Sequence, residues 1–347
     1  MGNQNRKPMA LWKMIIMDLL LTGVSLCVFA LFHHVLPQRS ANQGTVISQV
    51  GDDSKNNFNL PDTQEETTKK SKGARPGTYT GSSKTQDVEG DIQEREEISK
   101  AGKTESVIQS YKDGNVSMEI KKIEVGTGED KITYYAADVY VTNVKYIKTA
   151  FAGDTYGKNL REEVTEIGKR SQAILSISGD FYGNSEEGVV IRNGVYYRSV
   201  LTKADICVLF IDGTMKTYSP EEFSVDEVVQ QGAWQAWTFG PSLLDEKGGV
   251  LSVFNSTSYL NSKNPRGAIG YVDQGHYVFV VVDGREDGYS CGATLSELGQ
   301  IMADLKCKTA YNLDGGKSAI MVYEDETISQ PVGGGRTISD IVYIGGN

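Results

Sequence analysis

Residues typical of metal sites are scarce in this 347-residue chain, which has only three histidines and four cysteines. No C-x-x-C or H-E-x-x-H pattern occurs, so we do not expect a zinc site. No Lys/Arg cluster interleaved with aromatic residues is present, and 45 Asp and Glu outnumber 35 Lys and Arg. A nucleic-acid partner is therefore not expected. We expect no cofactor; calcium is the open alternative, although no D-x-D-x-D-G loop occurs.

The four cysteines are not expected to form disulfides. Cys27 and Cys207 lie in apolar segments, where each serves as a small hydrophobic residue. Cys291 and Cys307 flank a predicted helix, whose ends would lie roughly 20 Å apart. A disulfide needs Cα atoms within about 7 Å, so we predict free thiols.

One long apolar run occurs near the N-terminus, from Met14 to Phe32. A helix of this length, at about 1.5 Å per residue, roughly matches a ~30 Å hydrocarbon core. Basic residues precede the run, and the first fixed positive charge after it is Arg39. This asymmetry places residues 1–13 in the cytoplasm and the remainder outside the cell. We therefore predict a single-pass membrane anchor over residues 14–36, with a cleaved signal peptide as the alternative.

A polar segment follows over residues 37–103. It is rich in Gln, Asn, Ser, Thr, Gly, Lys and Glu and has few large apolar residues. Such a segment cannot bury enough apolar surface to offset the entropy lost on ordering. We predict a disordered stalk here, followed by one domain over residues 104–347.

The domain pattern predicts an α+β fold with a mixed sheet and a few packed helices. Val116–Val125 and Ile132–Val144 alternate apolar and polar residues, as half-buried strands do. Ala173–Ile177 and Tyr277–Val282 are continuous apolar runs, typical of strands covered on both faces. A capping box opens an amphipathic helix over Thr294–Leu305.

Short polar motifs stand at the ends of these segments. Each one alone is typical of a turn or a surface ion pair, but together they place cations and carboxylates beside glycines. Converging cations would suit a phosphate group, and carboxylates among them would suit acid/base or nucleophilic chemistry on a sugar. The five motifs are Ser178–Gly183, Asn264–Ala268, Asp283–Arg285, Asn312–Ser318 and Gly333–Arg336.

Taken in order, these motifs resemble the phosphodiester glycosidases, a family related to the catalytic domain of N-acetylglucosamine-1-phosphodiester alpha-N-acetylglucosaminidase. The resemblance covers roughly Val139 to Ile344 and includes the further blocks Val190–Gly194, Phe239–Leu243 and Arg336–Asp340. The chain departs from the common family pattern at Ser178, Gly267, Lys317 and Gly335. At Lys317 a third glycine is usual in the family.

The resemblance implies a membrane-anchored extracellular glycosidase. It would hydrolyse the C1–O bond of a sugar 1-phosphodiester in a cell-wall or exopolysaccharide glycopolymer. The implied catalytic residues are Asp180, Asp283 and Asp314. The implied substrate- and phosphate-binding residues are Arg266, Arg285, Asn312, Lys317, Ser318 and Arg336.

Two other functions stay open. One is a catalytically inactive surface module that binds wall glycopolymers, and the other is a structural envelope protein. Trp234 and Trp237 fit either a sugar-stacking platform or core packing.

Overall fold

The computed structural model describes residues 11–50, 57–61 and 102–345. In these ranges the helices are α1 (Leu11–His34), α2 (Val164–Arg170), α3 (Val225–Gln230), α4 (Ser258–Asn261) and α5 (Leu295–Asp304). The strands are β1 (Gln38–Arg39), β2 (Thr45–Val46), β3 (Thr104–Lys112), β4 (Val116–Val125), β5 (Ile132–Val141), β6 (Ile147–Phe151), β7 (Gly157–Lys158), β8 (Ala173–Ser178), β9 (Gly188–Arg192), β10 (Val195–Val200), β11 (Ile206–Phe210), β12 (Met215–Tyr218), β13 (Ala233–Trp237), β14 (Arg266–Asp273), β15 (His276–Val282), β16 (Thr309–Leu313), β17 (Met321–Tyr323), β18 (Glu326–Thr327) and β19 (Asp340–Gly345).

The described strands form three large sheets and one two-stranded pair. The central sheet has the order β16-β14-β15-β5-β4-β3; the other two are β12-β11-β13-β9-β10-β2 and β18-β17-β8-β19-β6, and β1 pairs with β7. The α+β class is confirmed. The expected mixed sheet is wrong, because every pairing between these strands is antiparallel. Neighbours such as β14 and β15 are joined by a tight turn, whereas parallel neighbours need a crossover of a dozen or more residues.

The central sheet is covered on both faces, because successive side chains of a strand point to opposite sides. On β15, Phe279 and Val281 face a core shared with the other two large sheets. Val280, between them, packs in a second core with Leu298 of α5. The predicted capping box at Thr294 is present. The continuous apolar run therefore marks a strand buried on both faces, as predicted.

The two tryptophans belong to the core. Trp237 is fully buried, and Trp234 is buried and donates from Nε1 to the Ile147 carbonyl at 2.8 Å. Neither ring offers a face to a sugar, so the core-packing interpretation holds. All four cysteines are free thiols, as predicted.

The N-terminal part of the described chain differs from the predicted stalk. Helix α1 is long and apolar enough to cross a membrane and has no buried residue. Directly after it, β1 pairs with β7 and β2 pairs with β10, so residues 38–46 lie on the domain. The physical reason is that β7 and β10 offer unpaired backbone groups, which a short polar segment can satisfy without apolar burial. The predicted cytoplasmic segment up to residue 10, and the stalk over residues 62–101, lie outside the described residues.

Candidate active site

Three of the predicted motifs meet at one end of the central sheet. Strand β14 lies between β15 and β16, and its register pairs Arg266 with Val282 and Gly267 with Leu313. The residues just beyond these pairs therefore lie side by side and border a cleft of about 370 Å³. The polar lining of this cationic cleft consists of Asn264, Arg266, Arg285, Asn312, Asp314, Lys317 and Arg336.

Asp314 is the carboxyl group of the cationic cleft and is only 5% exposed. Arg336 donates from Nη2 to both Asp314 oxygens, at 3.1 and 3.3 Å, and from Nε to Ser318 Oγ at 2.5 Å. Burial raises the pKa of Asp314, and hydrogen bonds from Ser318 and Arg336 offset only part of that shift. The cleft thus holds a carboxyl group with a raised pKa beside a guanidinium.

The glycine pair after Asp314 lets this turn lie against the chain that precedes β14. The Gly316 N–H donates to the Pro265 carbonyl at 2.9 Å. A Cβ at Gly315 would lie 2.6 Å from the same carbonyl oxygen, and Gly316 has φ +62°, which glycine adopts without strain. The two glycines therefore permit the backbone contact that brings Asp314 beside the Pro265 segment.

Two exposed cations stand in the cleft lining, Arg285 and Lys317. Arg285 donates from Nη2 to Asn264 Oδ1 at 2.6 Å. Its guanidinium also lies beside Gly316, because a Cβ built there would be 3.6 Å from Nη1. These contacts orient Arg285 across the cleft.

Arg266 lines the cleft, but backbone carbonyls take several of its donors. It donates from Nε to Ala293 at 2.9 Å and from Nη2 to Ser262 at 2.7 Å and to Leu260. These hydrogen bonds indicate that Arg266 holds the segment before β14. They favour this role over the expected contact with phosphate.

The remaining two predicted binding residues are buried, Asn312 in the cleft lining and Ser318 beside it. Asn312 donates from Nδ2 to the Gly240 carbonyl at 2.7 Å. Ser318 is fully buried and contacts Arg336. Asn312 thus holds the Gly240 carbonyl, and Ser318 holds the Arg336 guanidinium.

Asp180 lies outside the cleft lining, and its catalytic role stays a prediction. Its carboxylate accepts hydrogen bonds from Arg192 Nη2 at 2.7 Å, Thr238 N at 2.9 Å and Tyr182 N at 3.2 Å. Arg192, 2% exposed, also donates from Nε to Asp340 at 2.9 Å. We call Asp180, Arg192 and Asp340 the buried triad. Buried charges need paired partners, so Arg192 holds Asp180 in place. Because Asp180 in turn accepts a hydrogen bond from Tyr182 N, the triad fixes the turn that carries Phe181.

Asp283 also lies outside the cleft lining. It accepts hydrogen bonds from Tyr289 Oη at 2.8 Å and from the Gln330 N–H at 3.0 Å. Burial raises the pKa of Asp283 to about 6. These hydrogen bonds join two loops near the cleft, and the catalytic role of Asp283 stays a prediction.

Several residues that shape the site were missed from the sequence. Arg192 and Asp340 lie in the blocks Val190–Gly194 and Arg336–Asp340 of the family resemblance, and a charged residue at the end of each apolar strand was the available signal. Arg161 had no such signal. Its guanidinium carbon lies 5.3 Å from the centroid of the Phe181 ring, and that of Arg336 lies 5.2 Å from it.

Comparison with known proteins agrees with the sequence resemblance. Residues 171–345 match the family described as phosphodiester glycosidase, which is half of the chain. The chain belongs to the phosphodiester glycosidase family. The matched region includes every lining residue of the cationic cleft and the whole buried triad.

A curated protein is similar in sequence to part of this phosphodiester glycosidase chain. A SPbeta prophage-derived uncharacterized protein, YomE, of Bacillus subtilis is 32% identical over 180 residues, which are 50% of this chain and 28% of YomE. This chain thus spans little more than a quarter of that curated relative.

Two solved structures are also similar. The zebrafish N-acetylglucosamine-1-phosphodiester alpha-N-acetylglucosaminidase catalytic domain, auto-inhibited by its pro-peptide, has a TM-score of 0.55 and 17% identity, covering 71% of this chain and 89% of that one. A Burkholderia pseudomallei protein predicted to be exported has a TM-score of 0.50 and 11% identity, covering 72% of this chain and 98% of that one. At these identities the likeness concerns the fold alone.

Proposed function

We propose that this domain hydrolyses the C1–O bond of a sugar 1-phosphodiester. The observation that carries the proposal is the cationic cleft, in which Asp314 and Arg336 are hydrogen-bonded and Arg285 and Lys317 stand as exposed cations. Cations suit the phosphate of such a substrate, and a carboxyl group suits the reacting sugar carbon.

Asp314 is proposed to act at the sugar C1. A raised pKa suits a carboxyl group that exchanges a proton during the reaction. It would either activate water or, when ionised, stabilise an oxocarbenium-like centre. Arg336, bonded to it at 3.1 Å, orients the carboxyl group and keeps a positive charge next to the leaving phosphate.

The cations of the cleft are proposed to stabilise the leaving group. Cleavage at C1–O releases a phosphomonoester, whose second pKa is about 6, so it leaves far more readily than an alkoxide. The reaction then needs less help from a general acid, and more from positive charge placed where negative charge develops. Arg336 and Arg285 fit this role, with Lys317 beside them.

Helix α1 is proposed to be a membrane anchor that keeps the domain on the outer cell surface. Asn159 Nδ2 donates to the carbonyls of His33 and Leu36 at 3.4 and 3.3 Å, and Gln38 Nε2 donates to that of Phe32 at 2.5 Å. The domain is thus attached directly to the end of the helix. A cell-wall or exopolysaccharide glycopolymer at the membrane surface is the substrate we propose, and the predicted export of the Burkholderia relative agrees with this location.

The experiment is incubation of the purified full-length protein with UDP-GlcNAc and, separately, with a teichoic-acid fragment. Release of free sugar is the expected result. Asp314→Asn should lower the rate by two or more orders of magnitude, the range typical of acid/base residues. Asp304→Asn removes an exposed carboxylate at the end of α5 and should leave the rate unchanged. No sugar release from either substrate would contradict the proposal.

The second candidate function is an inactive module that binds wall glycopolymers. Lys317 favours it, because a bulky cation occupies a turn position where the family commonly has glycine. In the same incubation, retention of the teichoic-acid fragment without any sugar release would select this function.

A further inference from the structure

Arg161 is brought close to Arg336 of the cationic cleft by a segment outside the family match. It precedes α2, whereas the matched region begins at residue 171. The next residue, Glu162, exchanges backbone hydrogen bonds with Ile338 at 3.0 and 2.9 Å. This bridge holds Arg161 alongside the chain that carries Arg336.

An aromatic ring stands near both guanidinium groups. Phe181 has φ +66°, a strained conformation for a residue with a side chain, and the buried triad fixes its turn through Asp180. Arg161 and Arg336 each contact the Phe181 ring, at 5.3 and 5.2 Å from its centroid. Cation–π contacts of this kind orient guanidinium groups without neutralising them.

Positive charge exceeds negative charge around the two arginines. Among the described residues Arg161 forms no ion pair, and its bonded partner is the neutral Asn184 amide. Burial and the nearby Arg336 lower the pKa of Arg161, and the Asp314 carboxylate offsets only part of that shift. Asp314 is the carboxylate in the cleft lining, and Arg336 already bonds to it. An anion between the two arginines would relieve their repulsion.

We propose that Arg161 and Arg336 form a two-armed clamp, set around Phe181, that holds the phosphate of the substrate. The phosphate is the chemical group that matches two guanidinium groups, because its several oxygens accept charge-assisted hydrogen bonds from both at once. The inference rests on the proposed function, because only that function says that the bound phosphate carries a sugar. The clamp itself needs no turnover, so phosphate binding tests it directly.

The clamp is tested with inorganic phosphate and the full-length protein by isothermal titration calorimetry. Arg161→Gln should weaken phosphate binding about tenfold, which corresponds to about 1.4 kcal/mol, and should flatten the salt dependence of the binding constant. Arg161→Lys should keep part of the affinity, because it retains the charge but lacks the fork. Lys169→Gln removes an exposed charge from α2 and serves as the matched control with unchanged affinity.

Substitution of Phe181 provides a second, independent test of the clamp. Phe181→Leu should weaken binding in the wild-type background and have little further effect in Arg161→Gln, because the ring acts by orienting the two arms. Unchanged melting temperatures for the Arg161 variants would establish that their folds are intact.

Failure of the clamp is distinguishable from failure of the hydrolase. Phosphate affinity of Arg161→Gln within twofold of wild type, or no phosphate binding by wild type, would overturn the clamp even if free sugar is released from UDP-GlcNAc. Arg161-dependent phosphate binding without sugar release would overturn the hydrolase and leave the clamp standing.

Discussion

Replacing Arg192 by methionine should lower the stability of the folded domain more than a substitution at the surface does. Arg192 lies between Asp180 and Asp340 at 2.7 and 2.9 Å, with all three side chains at most 1% exposed. Methionine fills much of the same volume but supplies no charge and no donor. Two buried carboxyl groups would then lose their common partner.

The magnitude follows from that loss. Removing one partner of a buried ion pair costs about 3–5 kcal/mol, and Arg192 serves two carboxylates, so we expect about 5 kcal/mol at pH 8. For a domain of this size, each kcal/mol lowers the melting temperature by about 2–4 °C, which gives a decrease of roughly 10–20 °C.

The loss should depend on pH. Burial raises the pKa of Asp340, and Asp180 beside it adds to the shift, whereas Arg192 opposes it. Without Arg192, Asp340 binds its proton more tightly in the folded state than in the unfolded state. Stability of the variant therefore rises as pH falls, and we expect the deficit at pH 5 to be about half of that at pH 8.

Thermal unfolding followed by circular dichroism at pH 5 and pH 8 measures both effects. Arg170→Met is the matched control, because Arg170 pairs with Glu162 at a partly exposed position and such pairs contribute about 1 kcal/mol or less. A decrease below about 3 °C for Arg192→Met, or an equal decrease at both pH values, would refute the reasoning.

Three further predictions concern the cleft and its supports. Burial raises the pKa of Asp283 from 3.8 to about 6, so the folded state binds this proton more tightly than the unfolded state does. Below pH 3.8 this adds about 3 kcal/mol to the free energy of unfolding, and the addition is lost as pH rises through 6. Urea unfolding of Asp283→Asn between pH 4.5 and 7.5 should have a flatter pH dependence than wild type, and parallel curves would contradict this. Gly315→Ala places a Cβ 2.6 Å from the Pro265 carbonyl oxygen and should cost about 1–3 kcal/mol and most of the activity, whereas Gly114→Ala, with nothing within 4 Å, should cost neither in the same assays. Lys317→Ala should raise KM for UDP-GlcNAc several-fold at an unchanged melting temperature, and an unchanged KM would mean that Lys317 does not reach the phosphate.

Much of the fold was predictable because burial leaves a periodic record in the sequence. The run Tyr277–Val282 and the capping box at Thr294 correspond to β15 and α5. The direction of the strands was not predictable in the same way, since burial on both faces looks alike in parallel and antiparallel sheets. The predicted stalk failed over residues 38–46, because edge pairing uses backbone atoms and leaves no apolar pattern.

The motifs of the candidate site were identifiable, but their roles were not. Asp314 and Asp180 each stand beside a glycine after a strand, and only the structure separates them. Asp314 borders the cleft, while Asp180 is bonded to Arg192. Arg161 was not predictable, because its contact with Phe181 depends on a backbone bridge between distant segments.

The most direct test of the central claim is the position of bond cleavage. The full-length protein is incubated with UDP-GlcNAc in water enriched in oxygen-18, and the UDP and sugar products are analysed by mass spectrometry. Attack of water at C1 places the label on the sugar and none on UDP. The account predicts unlabelled UDP, formed at a rate that Asp314→Asn nearly abolishes. Label in the phosphate of UDP, or an Asp314→Asn rate equal to wild type, would contradict it.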